Sequence, residues 1–150
     1  MKFAQKLAIG ALAVTMSASA MAADNKGADA LTNAEKGALN ICDVVSEGVF
    51  NISAMHQSNI SEAEAKKTMD EVAADLIKQH GDDEVTAFVK EFWQDSLSTI
   101  IYKQPIQAAD DKKREIVQAN AVESGLACLG ILLGEKEGEQ ALKKMQAAQK

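Results

Sequence analysis

The sequence predicts an all-α fold: a compact bundle of four main helices plus a short C-terminal helix, pinned by one disulfide. Apolar residues recur at spacings of three and four, and no stretch keeps up the alternation of a half-buried strand. Pro105 is the only proline in 150 residues, and capping residues punctuate the chain at regular intervals. Its only two cysteines, Cys42 and Cys128, fall in the first and the last of the four main helical segments.

Residues 1–22 read as a secretory signal peptide. Lys2 and Lys6 supply a positive start, Leu7 to Val14 an apolar stretch, and Ala20-Met21-Ala22 a small-x-small cleavage site. Cleavage after Ala22 makes Ala23 the new N-terminus. A membrane-spanning helix needs ~20 apolar residues, more than this stretch offers. A lipid anchor needs a cysteine where Ala23 stands. No later segment approaches spanning length without charge, so no integral membrane association is expected. The expectation is a soluble protein of the periplasm, with residues 23–33 as a flexible lead-in and residues 34–150 as the helical domain.

Loss of Lys2 and Lys6 moves the formal charge from −6 to −8. An acidic surface disfavours nucleic acid, because phosphate neutralisation requires basic residues. It could attract a basic protein partner or a cation, but a solvated, solubility-promoting face is the simpler reading. About 128 residues after cleavage suffice for one core and not for two.

Thr32 and Glu35 have the spacing of a capping box, which opens the first helix. Ala38, Ile41, Cys42, Val45, Val49 and Ile52 then form its inward stripe, and Ser58-Asn59 end it. Ser61 to Glu64 repeat the cap signal, followed by Met69, Val72, Ala73, Leu76 and Ile77. Lys78 and His80 suit the negative end of that helix, and Gly81 closes it. Asp82 and Asp83 cap a third helix carrying Val85, Phe88, Val89, Phe92, Trp93, Leu97, Ile100 and Ile101 before Tyr102 and Pro105 interrupt it. Pro105 fits the first turn of a fourth helix, which passes Ile116, Val117, Ala121, Leu126, Cys128 and Leu132 to Gly134. A tail helix has Ala141, Leu142 and Met145 on one side.

Two cysteines in an exported chain are most economically paired, which makes Cys42–Cys128 a structural disulfide. A redox-active pair ordinarily sits as Cys-x-x-Cys at a helix start, and the sequence has none.

Chemistry is sparse. Met55-His56, His80 and the pairs Asp82-Asp83 and Asp110-Asp111 are the raw material for a metal site, yet none has ligand spacing. Met55 is assigned to the core and His56 to a partly exposed position. Two histidines outside any recognisable motif give a nucleophile no obvious base. The carboxylate pairs Glu62/Glu64 and Glu71/Asp75, and the charged run Asp110 to Glu115, have the pattern of solvated helix faces and caps. The expectation is no catalytic residue, no metal and no cofactor. Trp93 and Tyr102 are the candidates for an interaction surface, since large aromatics dominate buried contacts at interfaces.

Cys42 in an opening helix, the Ile101-Tyr102-Lys103-Gln104-Pro105 segment and Gly125-Leu126-Ala127-Cys128 resemble small exported helical proteins of Gammaproteobacteria without an assigned function. In size, export and helicity the chain is also similar to periplasmic immunity proteins that block secreted cell-wall amidases. The first resemblance implies a disulfide-pinned helical fold and transfers no active site; the second is architectural, with no inhibitory loop matched. The functional expectation is a non-enzymatic protein that binds another macromolecule, an inhibitor or immunity protein being one version. The alternative is carriage of a small apolar ligand or metal ion in the bundle interior.

Overall fold

The computed structural model describes residues 31–148. The expected leader and its cleavage site lie outside them. Five α-helices follow in order: α1 (Asn33–Gln57), α2 (Glu62–His80), α3 (Glu84–Asp95), α4 (Asp110–Leu133) and α5 (Glu135–Ala148). No strand occurs among the described residues.

The α1 start is a complete capping box. Thr32 Oγ1 accepts from the Glu35 N–H at 3.1 Å, and Glu35 Oε2 accepts from the Thr32 N–H at 2.6 Å. Of its predicted inward stripe, Ala38, Cys42, Val45, Val49 and Ile52 are buried and form the centre of the core, while Ile41 is half-buried at its margin. Ser61 caps α2 by accepting from the Glu64 N–H. In α2 the buried line narrows to Ala65, Met69 and Ala73, and Val72, predicted to point inward, is exposed. Gly81 and Gly134 close α2 and α4 at φ 101° and 88°, a region costly for any residue with a Cβ.

Asp83 caps α3, its carboxylate accepting from the N–H groups of Val85 and Thr86. The helix predicted to run on to Tyr102 instead ends at Asp95, passing into a π-helical turn over Ser96–Ile100 and a 3₁₀ turn over Ile101–Lys103. The hydroxyls of Ser98 and Thr99 donate to the carbonyls of Gln94 and Asp95, competing with the backbone ladder at the point where it widens. The wider turn keeps Leu97 and Ile101 buried and turns Ile100 outward.

Pro105 is not in the first turn of α4, which starts five residues later at Asp110. Contacts to α1 hold the intervening segment extended. The Gln104 carbonyl accepts from His56 Nε2 at 2.8 Å, and the Pro105 carbonyl accepts from Gln57 Nε2 at 3.2 Å. The Gln107 N–H donates to Gln57 Oε1 at 2.8 Å, so these groups are unavailable to a helix.

α4 lies antiparallel to α1 along most of its length, with Cys42 and Cys128 joined by the disulfide. α3 runs alongside α1 in the same direction, Trp93 meeting Val45 and Gln104 meeting His56. α2 packs on α1 and α3, while α5 folds back on α4 and reaches the start of α1. The tail helix docks: Ala141 is fully buried, and Lys144 Nζ donates to Glu35 Oε1 at 3.0 Å. The architecture is the all-α, disulfide-pinned bundle the sequence predicts.

Candidate interaction surface

α4 holds the largest surplus of apolar surface. Its most apolar 18-residue window has a mean hydropathy of 1.6, and only 22% of that window is buried by the rest of the protein. By length and composition it could cross a membrane, with the charged Glu123 inside that window. Its inward face uses Val117, Asn120, Cys128 and Leu129, whereas Val122 is 62% and Ile131 64% exposed. Leu126 and Leu132 are also exposed. A helix apolar all round is normally enclosed by neighbours; this one is enclosed on one side.

Beside it lies a cleft. α3 and α4 both pack on α1 but share no packed interface, which leaves a groove whose floor is Val49. Phe92 and Ile100 stand on one wall and Ala127 and Glu123 on the other, around a cavity of about 240 Å³. The π turn at Ser96–Ile100 presents Ile100 to this groove.

The inner end of the groove is closed by a polar clasp. Asn120 and Gln104 exchange side-chain amide hydrogen bonds of 2.9 and 2.8 Å, and Asn120 Nδ2 donates to Ser53 Oγ at 2.9 Å. A carbonyl can only accept, so His56 Nε2 carries the proton it gives to the Gln104 oxygen. Tyr102 Oη donates to the Ile60 carbonyl at 3.0 Å, with its ring tilted against His56 at a centroid distance of 4.5 Å. Burial raises the Tyr102 pKa above the ordinary phenol value, and the nearby carboxylates of Glu62 and Glu64 push it the same way. No buried side-chain polar atom among the described residues is left unpaired. The clasp is therefore a satisfied structural network.

Of the two aromatics singled out from sequence, Trp93 is a core residue. It is 3% exposed, and its indole N–H donates to the Val45 carbonyl at 3.1 Å, so it is not accessible to a partner. Tyr102 is half-buried with its hydroxyl committed to Ile60. His56, expected partly exposed, is buried by Gln104 and Tyr102, and Met55 is only half-buried. His80 is exposed at the end of α2. Among the described residues no group of three or more His, Cys, Asp or Glu side chains converges to hold a metal ion.

The clasp residues Asn120, Gln104 and Gln57 were not legible as a site, although Asn120 left a trace. It is an amide one turn from Val117 and about two turns from Cys128, on one face of the helix. The groove left no trace, because it depends on how far α3 stands from α4. No family model, curated protein or solved structure matches this chain.

Proposed function

We propose that this chain is a non-enzymatic, exported helical protein that works by binding another protein. One observation carries the reading: the most apolar 18-residue window of α4 is left only 22% buried by the rest of the protein. Exposed apolar surface beyond scattered single residues marks interaction sites, and the polar groups inside the fold are already paired. The leader-like N-terminus and the Cys42–Cys128 pair support a periplasmic setting. An inhibitor or immunity protein is the version favoured by the likeness to exported immunity proteins.

The test is capture from a native periplasmic extract with the tagged mature protein beside a Val122→Lys/Leu126→Lys double variant. A stoichiometric protein that is retained by the first and lost from the second is the expected result. Equal recovery by both, or no partner under repeated native conditions, defeats the reading.

Carriage of a small apolar ligand is a second reading, supported by the α3–α4 cleft. Its volume of about 240 Å³ falls below the roughly 300–1,000 Å³ of drug-sized ligand sites. Native mass spectrometry of protein from its own host decides: a retained small molecule promotes carriage, and a clean apo mass removes it.

A further inference from the structure

Resting on the protein-binding reading above, we propose that the groove between α3 and α4 seats one amphipathic helix of a basic partner. Its apolar side chains enter between Phe92 and Ala127, and its lysines or arginines lie against Glu123 and Asp95.

The groove has the form of a missing bundle member. Trp93 meets Val45, and Cys42 is bonded to Cys128, so the parallel α3 and the antiparallel α4 can be aligned on α1. Phe92 of α3 and Ala127 of α4 then stand level. Phe88 and Ile131 stand level one turn further out, since residues four apart share a helix face. From Phe88 to Ile100 the apolar wall covers twelve residues, roughly 18 Å, which matches about three turns of helix. The cavity of about 240 Å³ is too small to enclose a helix and holds one or two large side chains. An occupant therefore rides on the rims with anchors at i, i+4 and i+7, the spacing by which helices fill apolar grooves.

Charge selects the occupant. Glu123 is the only charged residue lining the cavity. Asp95 follows Phe92 by three residues on the same side of α3, and Glu84 and Glu91 flank Phe88 at spacings of four and three. A second copy would bring its own carboxylates to this rim, and an anionic lipid surface would be repelled. Ala23 to Ala30, the part of the lead-in preceding the described residues, has no large apolar side chain to insert. A foreign helix with apolar anchors and basic flanks satisfies both the wall and the rim.

The experiment uses the full mature chain with its disulfide intact. The probe is a fluorescent helical peptide of about 15 residues, with Leu and Phe on one face and Lys on the other. A matched peptide carries Glu in place of Lys. Ala127→Trp fills the cleft and Glu123→Lys reverses its charge; both positions are exposed, and unchanged circular dichroism and melting establish folding. Val72→Lys, on the exposed side of α2, is the control. The expected result is saturable binding of the Lys peptide, weakened about tenfold or more by each groove variant and by the Glu replacement, and unchanged in the control. Absent binding, equal affinity for wild type and both groove variants, or equal affinity for the Glu peptide overturns the proposal. So does preferential binding of phosphatidylglycerol vesicles, or a dimer broken by Ala127→Trp. A protein captured equally by wild type and Ala127→Trp removes the groove and keeps the broader reading. Groove-dependent peptide binding with no protein captured does the reverse.

Discussion

Gly48 of α1 lies directly beneath the Trp93 indole of α3, so close that a Cβ on Gly48 would overlap Nε1, Cε2 and Cζ2 of the ring. The same indole is anchored to the next turn by its N–H bond to the Val45 carbonyl. In an ordinary helix interior, Gly→Ala stabilises by about 1 kcal/mol. Here the ring is rigid and fixed, and overpacking of this kind costs about 1–3 kcal/mol. Gly48→Ala is expected to lower stability by up to about 2 kcal/mol net, read as a lower urea midpoint at an unchanged slope. A midpoint that rises would show that the indole can move aside.

The Cys42–Cys128 bond closes a loop of 86 residues between α1 and α4. In the chain-entropy description, a crosslink of that span stabilises by about 4–5 kcal/mol. A Cys42→Ser/Cys128→Ser variant is expected to lose stability on this order, comparable with a third or more of the total for a domain. Denaturant unfolding of the variant, compared with the oxidised protein, measures it. Thiol alkylation of the unfolded, non-reduced wild type should modify neither cysteine.

Local signals were legible and spatial ones were not. Thr32/Glu35, Ser61 and Asp83 announced their helices because a capping group and its N–H partner lie within three residues of one another. Cys42 and Cys128 were readable as a pair because only two cysteines exist. The π turn was hidden, since Phe92 to Ile101 carries an unbroken helical period and the competing hydroxyls of Ser98 and Thr99 look like ordinary surface residues. Pro105 misled for a related reason: its preference for a helix start is local, whereas the bonds holding it in a loop come from His56 and Gln57, 48 residues away. Periodicity placed Val72 on the inward side of α2 because it counts apolar residues, not the neighbours available to cover them. Trp93 had two outlets, core or interface, and the absent side chain of Gly48 decided for the core.

Glu35 joins the two ends of the fold, accepting from the Thr32 N–H and from Lys144 of α5. These bonds, the Thr32 backbone N–H foremost, hold its carboxyl below the usual carboxylate range. Asp83 is lowered in the same way by the Thr86 N–H. A depressed carboxylate leaves the unfolded state binding more protons as acid is added, so stability rises with pH through this window. The contribution is fully present above the unfolded carboxylate pKa of roughly 4.3 and is lost as pH falls through the lower folded value. Glu35→Gln is therefore expected to melt below wild type at neutral pH, with the gap closing in acid. Melting temperatures of both proteins across the acid limb check this, and a gap that stays constant would remove Glu35 as the source.

Tyr102 governs the opposite limb. It is the only tyrosine in the chain, so its ionisation can be followed directly by tyrosinate absorbance. Its hydroxyl donates to the Ile60 carbonyl, a bond the phenolate cannot make, and burial together with Glu62 and Glu64 raises its pKa. The unfolded chain gives up this proton first, near the free phenol value of about 10. Stability from Tyr102 is thus intact below that pH and is lost as pH climbs through the higher folded value. Tyr102→Phe keeps the ring against His56 and removes one neutral hydrogen bond, at a cost of about 1 kcal/mol at neutral pH. Lysines titrate in the same range, so the informative quantity is the wild-type minus variant difference. That difference should shrink above about pH 10, with a native tyrosinate transition displaced upward from that of the unfolded protein. Coincident transitions in the two states would show that the Tyr102–Ile60 bond does not anchor this end of the clasp.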